Sequence, residues 1–297
     1  MYSRYKDSSE ADRFNTQWAQ AVQQLNGLSL QARTLATDWG PTRVWVHTPR
    51  RRIYETLIFL PGFNASSLVW LTGQNLNRLS KKYRLCLVDI NGQPGLSAGL
   101  SPLLQTDEYG CWARQVLEQL GTARATLIGH ALGALISLKA CRMAPELIKK
   151  AILVNPAGLQ SLSLSLALLR YYRLAIQSPS ERAVRSFLRE TVFSSLDPPL
   201  APAQEQLLVD FQVYNLRAFA PAQWWHQALS TDELVSIQTP IYVVLGAQDK
   251  LYPYQTTQNR AVEHLPSLVS VTVLPTMGHS VQSSSGFGLL LETILTQ

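Results

Sequence analysis

Cysteine is scarce in this chain: only Cys86, Cys111 and Cys141 occur among 297 residues. An odd, scattered set builds neither a disulfide framework nor a zinc site, and points to a reducing compartment. Charge is scarce as well. Asp, Glu, Lys and Arg make up 15% of the chain against 46% hydrophobic residues, which excludes a disordered tail and a charged coiled coil. No apolar run approaches the ~20 residues that span a bilayer; the most apolar stretch, Leu162–Leu169, is short and broken by serines. The opening MYSRYKDSSEADRF has no apolar core for a signal peptide. A cytoplasmic globular protein with no membrane span is therefore expected. His47, His130, His226, His264 and His279 show no HxH or HxxxH pairing, so no metal is expected. Neither a P-loop nor a G-x-G-x-x-G follows the first strand, so no nucleotide cofactor is expected either.

The net charge of +6 reflects 26 basic and 20 acidic residues. The one dense basic run, Arg50-Arg51-Arg52, lies between two strand-like segments, Arg43–His47 and Thr56–Leu60. It reads as a solvated hairpin turn, and no nucleic-acid partner is expected.

What is present is a rhythm. Up to about Leu35 the chain reads helical, with Phe14, Trp18, Val22 and Leu25 forming one apolar stripe. Strand-like runs then appear at Val44–His47, Thr56–Leu60, Arg84–Ile90, Ala125–Ile128, Ala151–Val154, Ile241–Leu245 and Val269–Leu274. Most are continuously apolar, as strands buried on both faces should be. Helical patterns separate them at Ser66–Lys81, Asp107–Leu120, Leu132–Ala144, Thr256–His264 and Gly286–Leu295. Strands alternating with helices predict an α/β fold, a mostly parallel sheet covered on both faces. One stretch breaks the alternation. From Ala157 to about Ser236 only helical segments appear, Leu162–Ile176, Glu181–Phe193, Gln204–Ala218 and Ala222–Leu229, punctuated by prolines. The expected division is thus core (1–156), helical insertion (157–236) and core again (237–297).

The most informative stretch runs Thr126-Leu127-Ile128-Gly129-His130-Ala131-Leu132-Gly133-Ala134. An apolar strand enters G-x-A-x-G and a helix follows at once. That is the strand–turn–helix context in which G-x-S-x-G presents a nucleophilic serine. Here position 131 is alanine.

Other motifs follow in a fixed order. They are Leu60-Pro61-Gly62-Phe63, Asp89-Ile90-Asn91-Gly92-Gln93-Pro94-Gly95-Leu96-Ser97, Leu245-Gly246-Ala247-Gln248-Asp249 and Met277-Gly278-His279-Ser280. With the elbow, they make the chain resemble capped α/β-hydrolases of the serine esterase type from about Arg43 onward. The N-terminal helical segment leading into Asp38-Trp39-Gly40-Pro41-Thr42 is similar to bacterial carboxylesterases. Pro61 stands where the family's oxyanion loop usually has histidine, and Pro94-Gly95 displaces the second glycine of its D-x-x-G-x-G-x-S turn by one place. The resemblance implies a sheet of about eight strands with the helical cap inserted after the sixth. It also implies roles: His279 as general base, Asp249 as its orienter, and backbone N–H groups of Phe63 and Leu132 as oxyanion donors. Taken singly, each has an ordinary alternative. Asp249 would cap the helix that follows it, and His279 would be a surface or core histidine.

Ala131 has no atom that can be acylated, and three readings compete. The chain is a natural non-catalytic binding protein, or a serine-independent lyase or acyl transferase working through His279, or a serine hydrolase whose nucleophile was replaced. The third is favoured. A strained elbow costs on the order of 1–3 kcal/mol, and a lineage that had abandoned acyl transfer could relax it. Other serines near strand ends are Ser66, Ser67, Ser97 and Ser280; the first two read as helix caps. The expected partner is a small acyl substrate (ester, thioester or lactone), free or carried on another protein. Tyr171, Tyr172, Trp224 and Trp225 are candidate pocket residues, with Phe211, Tyr214 and Phe219 beside them in the cap. Arg170, Arg173, Arg182, Arg185 and Arg189 are candidate carrier contacts.

Overall fold

Strand Thr56–Leu60 shows why this sheet forms: every residue is buried, and successive side chains go to opposite faces. Ile58 and Leu60 enter one core cluster with Tyr109, Trp112 and Leu135. Leu57 and Phe59 enter the other with Trp18, Trp70 and Phe287. Fully burying one such side chain contributes ~1.5–3 kcal/mol. A sheet with two apolar faces needs helices on both, and it has them.

The structure is a computed structural model that describes residues 1–50, 55–163, 173, 176–197, 199–223, 227–284 and 286–297. In chain order the elements open with β1 (Arg4–Tyr5), α1 (Ser8–Asn26), β2 (Gln31–Thr37), β3 (Gly40–His47) and β4 (Thr56–Leu60). Then come α2 (Leu76–Leu79), β5 (Arg84–Val88), α3 (Glu108–Leu120), β6 (Ala125–His130), α4 (Leu132–Met143) and β7 (Ile148–Val154). The insertion carries α5 (Glu181–Phe187), α6 (Pro202–Ala218), β8 (Phe219–Ala220) and α7 (Thr231–Val235). The chain closes with β9 (Ile241–Gly246), α8 (Tyr254–His264), β10 (Leu268–Leu274) and α9 (Phe287–Leu295).

The main sheet has eight strands in the order β10-β9-β7-β6-β4-β5-β3-β2. From β10 to β5 the neighbours are parallel, and β3 and β2 are added antiparallel. Helices α3 and α4 cover one face, and α1 and α9 the other. The insertion follows the sixth strand of this sheet, β7.

Two expectations need correction. Helix α1 does not run to Leu35: Gly27 at φ 63 ends it, its N–H donating to the Gln24 carbonyl. Gln31–Thr37 is an edge strand, disguised because only Leu35 of it is buried. Ser66–Lys81 is not one helix. A 3-10 stretch, Ser67–Gln74, breaks at Thr72 and Gly73 before α2 begins.

The insertion is also not wholly helical. Phe219–Ala220 pairs antiparallel with Arg4–Tyr5, outside the main sheet. The described ends of Ala222–Leu229 are not helical; a helix starts instead at Thr231, where Ser230 and Glu233 form a capping box. Most of Leu162–Ile176 lies outside the described residues, as do Arg51 and Arg52.

The β1–β8 pair straps the insertion to the core. The Tyr5 hydroxyl donates to Asn215 Oδ1 at 2.7 Å and accepts from Gly95 N at 3.0 Å and Asn15 Nδ2 at 3.1 Å. Its ring packs 4.9 Å from that of Phe219. Tyr5→Phe keeps the ring and strands these partners. Denaturant unfolding should show a loss of about 1–3 kcal/mol, and an unchanged midpoint would contradict the strap.

Candidate active site

Between β6 and α4 the chain turns at Ala131, whose φ of 47° and ψ of −109° are rare for any residue with a Cβ. The turn is held from all sides. Ala131 N donates to Val154 O at 3.0 Å, and its carbonyl accepts from Ala134, Leu135 and Ala157 N–H groups. Glycine is obligatory on either side. A Cβ on Gly129 would lie 2.4 Å from Gly133 O, and one on Gly133 would lie 2.3 Å from Leu60 O. The spacing G-x-A-x-G is therefore a steric requirement of laying α4 against the end of β4.

Asp249 follows β9, and His279 sits in the loop after β10. His279 Nδ1 lies 2.8 Å from Asp249 Oδ2, both side chains being buried. The other carboxylate oxygen accepts from Leu251 N at 2.7 Å and Tyr252 N at 3.1 Å. Asp249 thus occupies both its oxygens and fixes the tautomer with the proton on Nδ1.

Two residues carry the loop of His279 that sequence reasoning did not single out. Asn155, buried at the end of β7 with φ 41°, accepts from Gly246 N at 2.8 Å. Its Nδ2 donates to His279 O at 2.8 Å and Gly278 O at 3.1 Å. One side chain thus braces the strand that leads to Asp249 against the loop that carries His279. The signal was a lone asparagine ending a continuous apolar strand, a residue type that tolerates left-handed backbone. The second is His130, whose Nε2 donates to His279 O at 2.9 Å. Burial, with His279 beside it, pushes the His130 pKa well below the ordinary value of 6.5. From the insertion, Asp197 Oδ1 accepts from Gly278 N at 3.0 Å, and Val192 O accepts from Ser280 N at 3.1 Å. Burial raises the Asp197 pKa.

Ala131, Leu132, Phe63 and His279 line one cavity of about 400 Å³. Leu132 opens helix α4, so its N–H lies at the positive end of the helix dipole. The insertion supplies an apolar roof from Phe187, Leu188, Phe193, Leu216 and Phe219. Of the aromatics expected in the pocket, Tyr171, Tyr172, Trp224 and Trp225 lie outside the described residues. Phe211 packs on Trp18, and Tyr214 stacks on Phe14; only Phe219 of that second group faces the cavity. The other serines are engaged. Ser66 and Ser67 donate to Asp89 Oδ1, Ser97 donates to Asp89 O, and Ser280 pairs with Ser283. Among the described residues no cluster of three His, Cys, Asp or Glu side chains could hold a metal, and no helix is long and apolar enough to cross a membrane.

The family model for the alpha/beta hydrolase fold matches residues 55–285, and the chain belongs to that family. Among its relatives is the carboxylesterase YbfK of Bacillus subtilis, 26% identical over 251 residues that cover 82% of this chain and 80% of that one. A putative carbamate hydrolase, RutD of Stutzerimonas stutzeri, is 26% identical over 260 residues, 80% of this chain and 89% of that one. Among solved structures, naproxen esterase from Bacillus subtilis superposes with a TM-score of 0.81 at 22% identity, covering 98% of this chain and 99% of that one. The crystal structure of carboxylesterase CesB (YbfK) gives 0.79 at 22% identity, covering 97% and 98%.

Two outcomes test the bracing. Asn155→Gly keeps the left-handed backbone and removes only the side chain's bonds. It should cost about 1–3 kcal/mol by denaturant unfolding, and no loss would remove Asn155 from the account. The folded chain resists protonating His130, whereas the unfolded chain takes up the proton below about pH 6.5. Stability conferred by neutral His130 is therefore present above pH 6.5 and lost as pH falls. His130→Gln, with its own amide donor, should flatten the slope of unfolding free energy between about pH 6.5 and 5; an unchanged slope would refute a buried neutral His130.

Proposed function

We propose that this site is laid out for acyl transfer to water, with the nucleophile at position 131, and that Ala131 confines the chain to binding an ester or thioester without covalent turnover. The observation that carries the proposal is the strained elbow at Ala131, set on the same cavity as the Asp249-oriented His279. A turn kept at φ 47° around a mere methyl group supports reading Ala131 as a replacement within an otherwise retained site.

With serine at 131, His279 would take the hydroxyl proton as the oxygen attacks the acyl carbon, and Asp249 would steady the resulting imidazolium. The N–H groups of Phe63 and Leu132 would receive the negative charge that develops on the carbonyl oxygen; one such donor is worth ~2.7–4 kcal/mol of barrier. His279 would then pass its proton to the leaving group, and water would release the acyl group by the same steps.

The relatives named carboxylesterases favour an ester, and the apolar roof favours an apolar acyl chain. Among the insertion's described arginines, two meet its own polar side chains. Arg185 bonds Glu205 at 2.8 Å as well as Gln206, and Arg189 lies 3.6 Å from Glu205. Arg185 thus serves helix packing, whereas Arg189 stays exposed.

The test compares the chain as it stands, Ala131→Ser and His279→Ala on p-nitrophenyl esters and acyl thioesters. Ala131→Ser should gain at least ~10³-fold in turnover, while the unaltered chain binds without a burst. A folded Ala131→Ser protein that binds these substrates and hydrolyses none would replace this reading with a receptor. Turnover by the unaltered chain that His279→Ala abolishes would replace it with serine-independent catalysis.

A further inference from the structure

At Asn64 the insertion is bonded to the loop that follows β4. Asn64 has a φ of 56°, a left-handed backbone that asparagine tolerates better than most residues and that persists where neighbours hold it. Its backbone N–H donates at 2.9 Å to Oε1 of Gln93, a buried residue in the turn that follows β5. Its carbonyl accepts from Gln212 Nε2 at 3.0 Å, and its Nδ2 donates to Gln212 Oε1 at 3.0 Å. Gln212 lies on α6. One side-chain amide of the insertion thus closes a two-bond ring on a single residue of the core.

Phe63 is bracketed as a result. On one side Gly62 lies so close to the elbow that a Cβ on it would come 3.0 Å from His130 Nδ1 and 3.6 Å from Ala131 Cβ. On the other, Asn64 is pinned between Gln93 of the core and Gln212 of the insertion. A peptide plane is rigid, and only the φ and ψ of the residues beside it can turn it. Fixing both neighbours of Phe63 therefore restricts where its N–H points. Without Gln212, Asn64 loses two of these three hydrogen bonds.

The insertion has other fastenings. Trp18 Nε1 of α1 donates to Leu207 O of α6 at 2.8 Å, and Gln204 Nε2 donates to Asn26 Oδ1 at 3.1 Å. Near the end of α6, Asn215 is held by Tyr5. Gln212 sits instead on the cavity wall, with Asn64, Ala131 and His279. Accepting the acyl-transfer reading above, we propose that Gln212 is a positioning residue: through Asn64 it holds the Phe63 N–H where negative charge develops, so that this donor is in place only while the insertion is seated. A misplacement of about 1 Å in such a group costs on the order of a hundredfold in rate.

The experiment has two readouts. Hydrogen exchange needs no turnover and uses the chain as it stands. In Gln212→Met, exchange across residues 60–65 should run at least about tenfold faster, with the peptide that carries His279 unchanged. Equal exchange overturns the proposal. In Ala131→Ser, adding Gln212→Met should lower kcat on p-nitrophenyl octanoate by about 10–100-fold and leave KM within about threefold. A residue that only stabilised the fold would shift the unfolding midpoint and spare kcat, and one that only bound the acyl chain would raise KM. Either result overturns the proposal. Gln212→Glu keeps an acceptor for Asn64 Nδ2 but offers the Asn64 carbonyl no donor at neutral pH. It should lose kcat in the same sense, and it decides the question if Gln212→Met does not fold. An active Ala131→Ser protein indifferent to both substitutions removes the role of Gln212 and leaves the acyl-transfer reading standing. A folded but inactive Ala131→Ser protein removes that reading, and the positioning role with it, whatever the exchange shows.

Discussion

The backbone turn at Ala131 is the constraint on which the rest of the site depends. It reverses the chain from β6 into α4 within one residue, and two glycines let the helix lie against the carbonyl of Leu60. That contact sets where the Pro61-Gly62-Phe63 loop leaves β4. On the other side Ala131 N is tied to Val154 O at the end of β7, and the next residue is Asn155. Asn155 reaches the strand end that leads to Asp249 and the loop that bears His279. The Pro61-Gly62-Phe63 loop, Ala131, Asp249 and His279 are thus linked through neighbouring strand ends. Strain of ~1–3 kcal/mol at one residue is tolerable because so many bonds over-determine it.

The loop of His279 is held by the core and the insertion alike. His130 and Asn155 hold the carbonyl of His279 from the sheet, while Asp197 and Val192 hold its neighbours Gly278 and Ser280 from the insertion. The same insertion roofs the cavity and is strapped by Tyr5 to the turn at Gly95. The segments that roof the cavity are therefore also those that hold the loop of His279.

How much of this could be read in the sequence follows from where the constraints act. Gly129, Gly133, Asp249 and His279 were legible because each is fixed by a requirement local to a strand end, steric or chemical. The continuous apolar runs marked most of the buried strands for the same reason. Strand β2 was not legible: an edge strand with only Leu35 buried carries almost no hydrophobic pattern. Phe219–Ala220 is a strand only because Arg4–Tyr5 lies beside it, a pairing between the two ends of a long loop closure. Asn155 was missed because its role depends on partners about a hundred residues away.

The central claim is that the site is complete for covalent acyl chemistry apart from one oxygen. Intact-mass spectrometry after exposure to a fluorophosphonate tests it most directly, since that reagent phosphonylates a serine only when base and oxyanion donors activate it. Ala131→Ser should gain one phosphonyl adduct, mapped by peptide to residue 131, and the chain as it stands should gain none. An unmodified Ala131→Ser protein with native unfolding behaviour, or an adduct on another serine, would contradict the account.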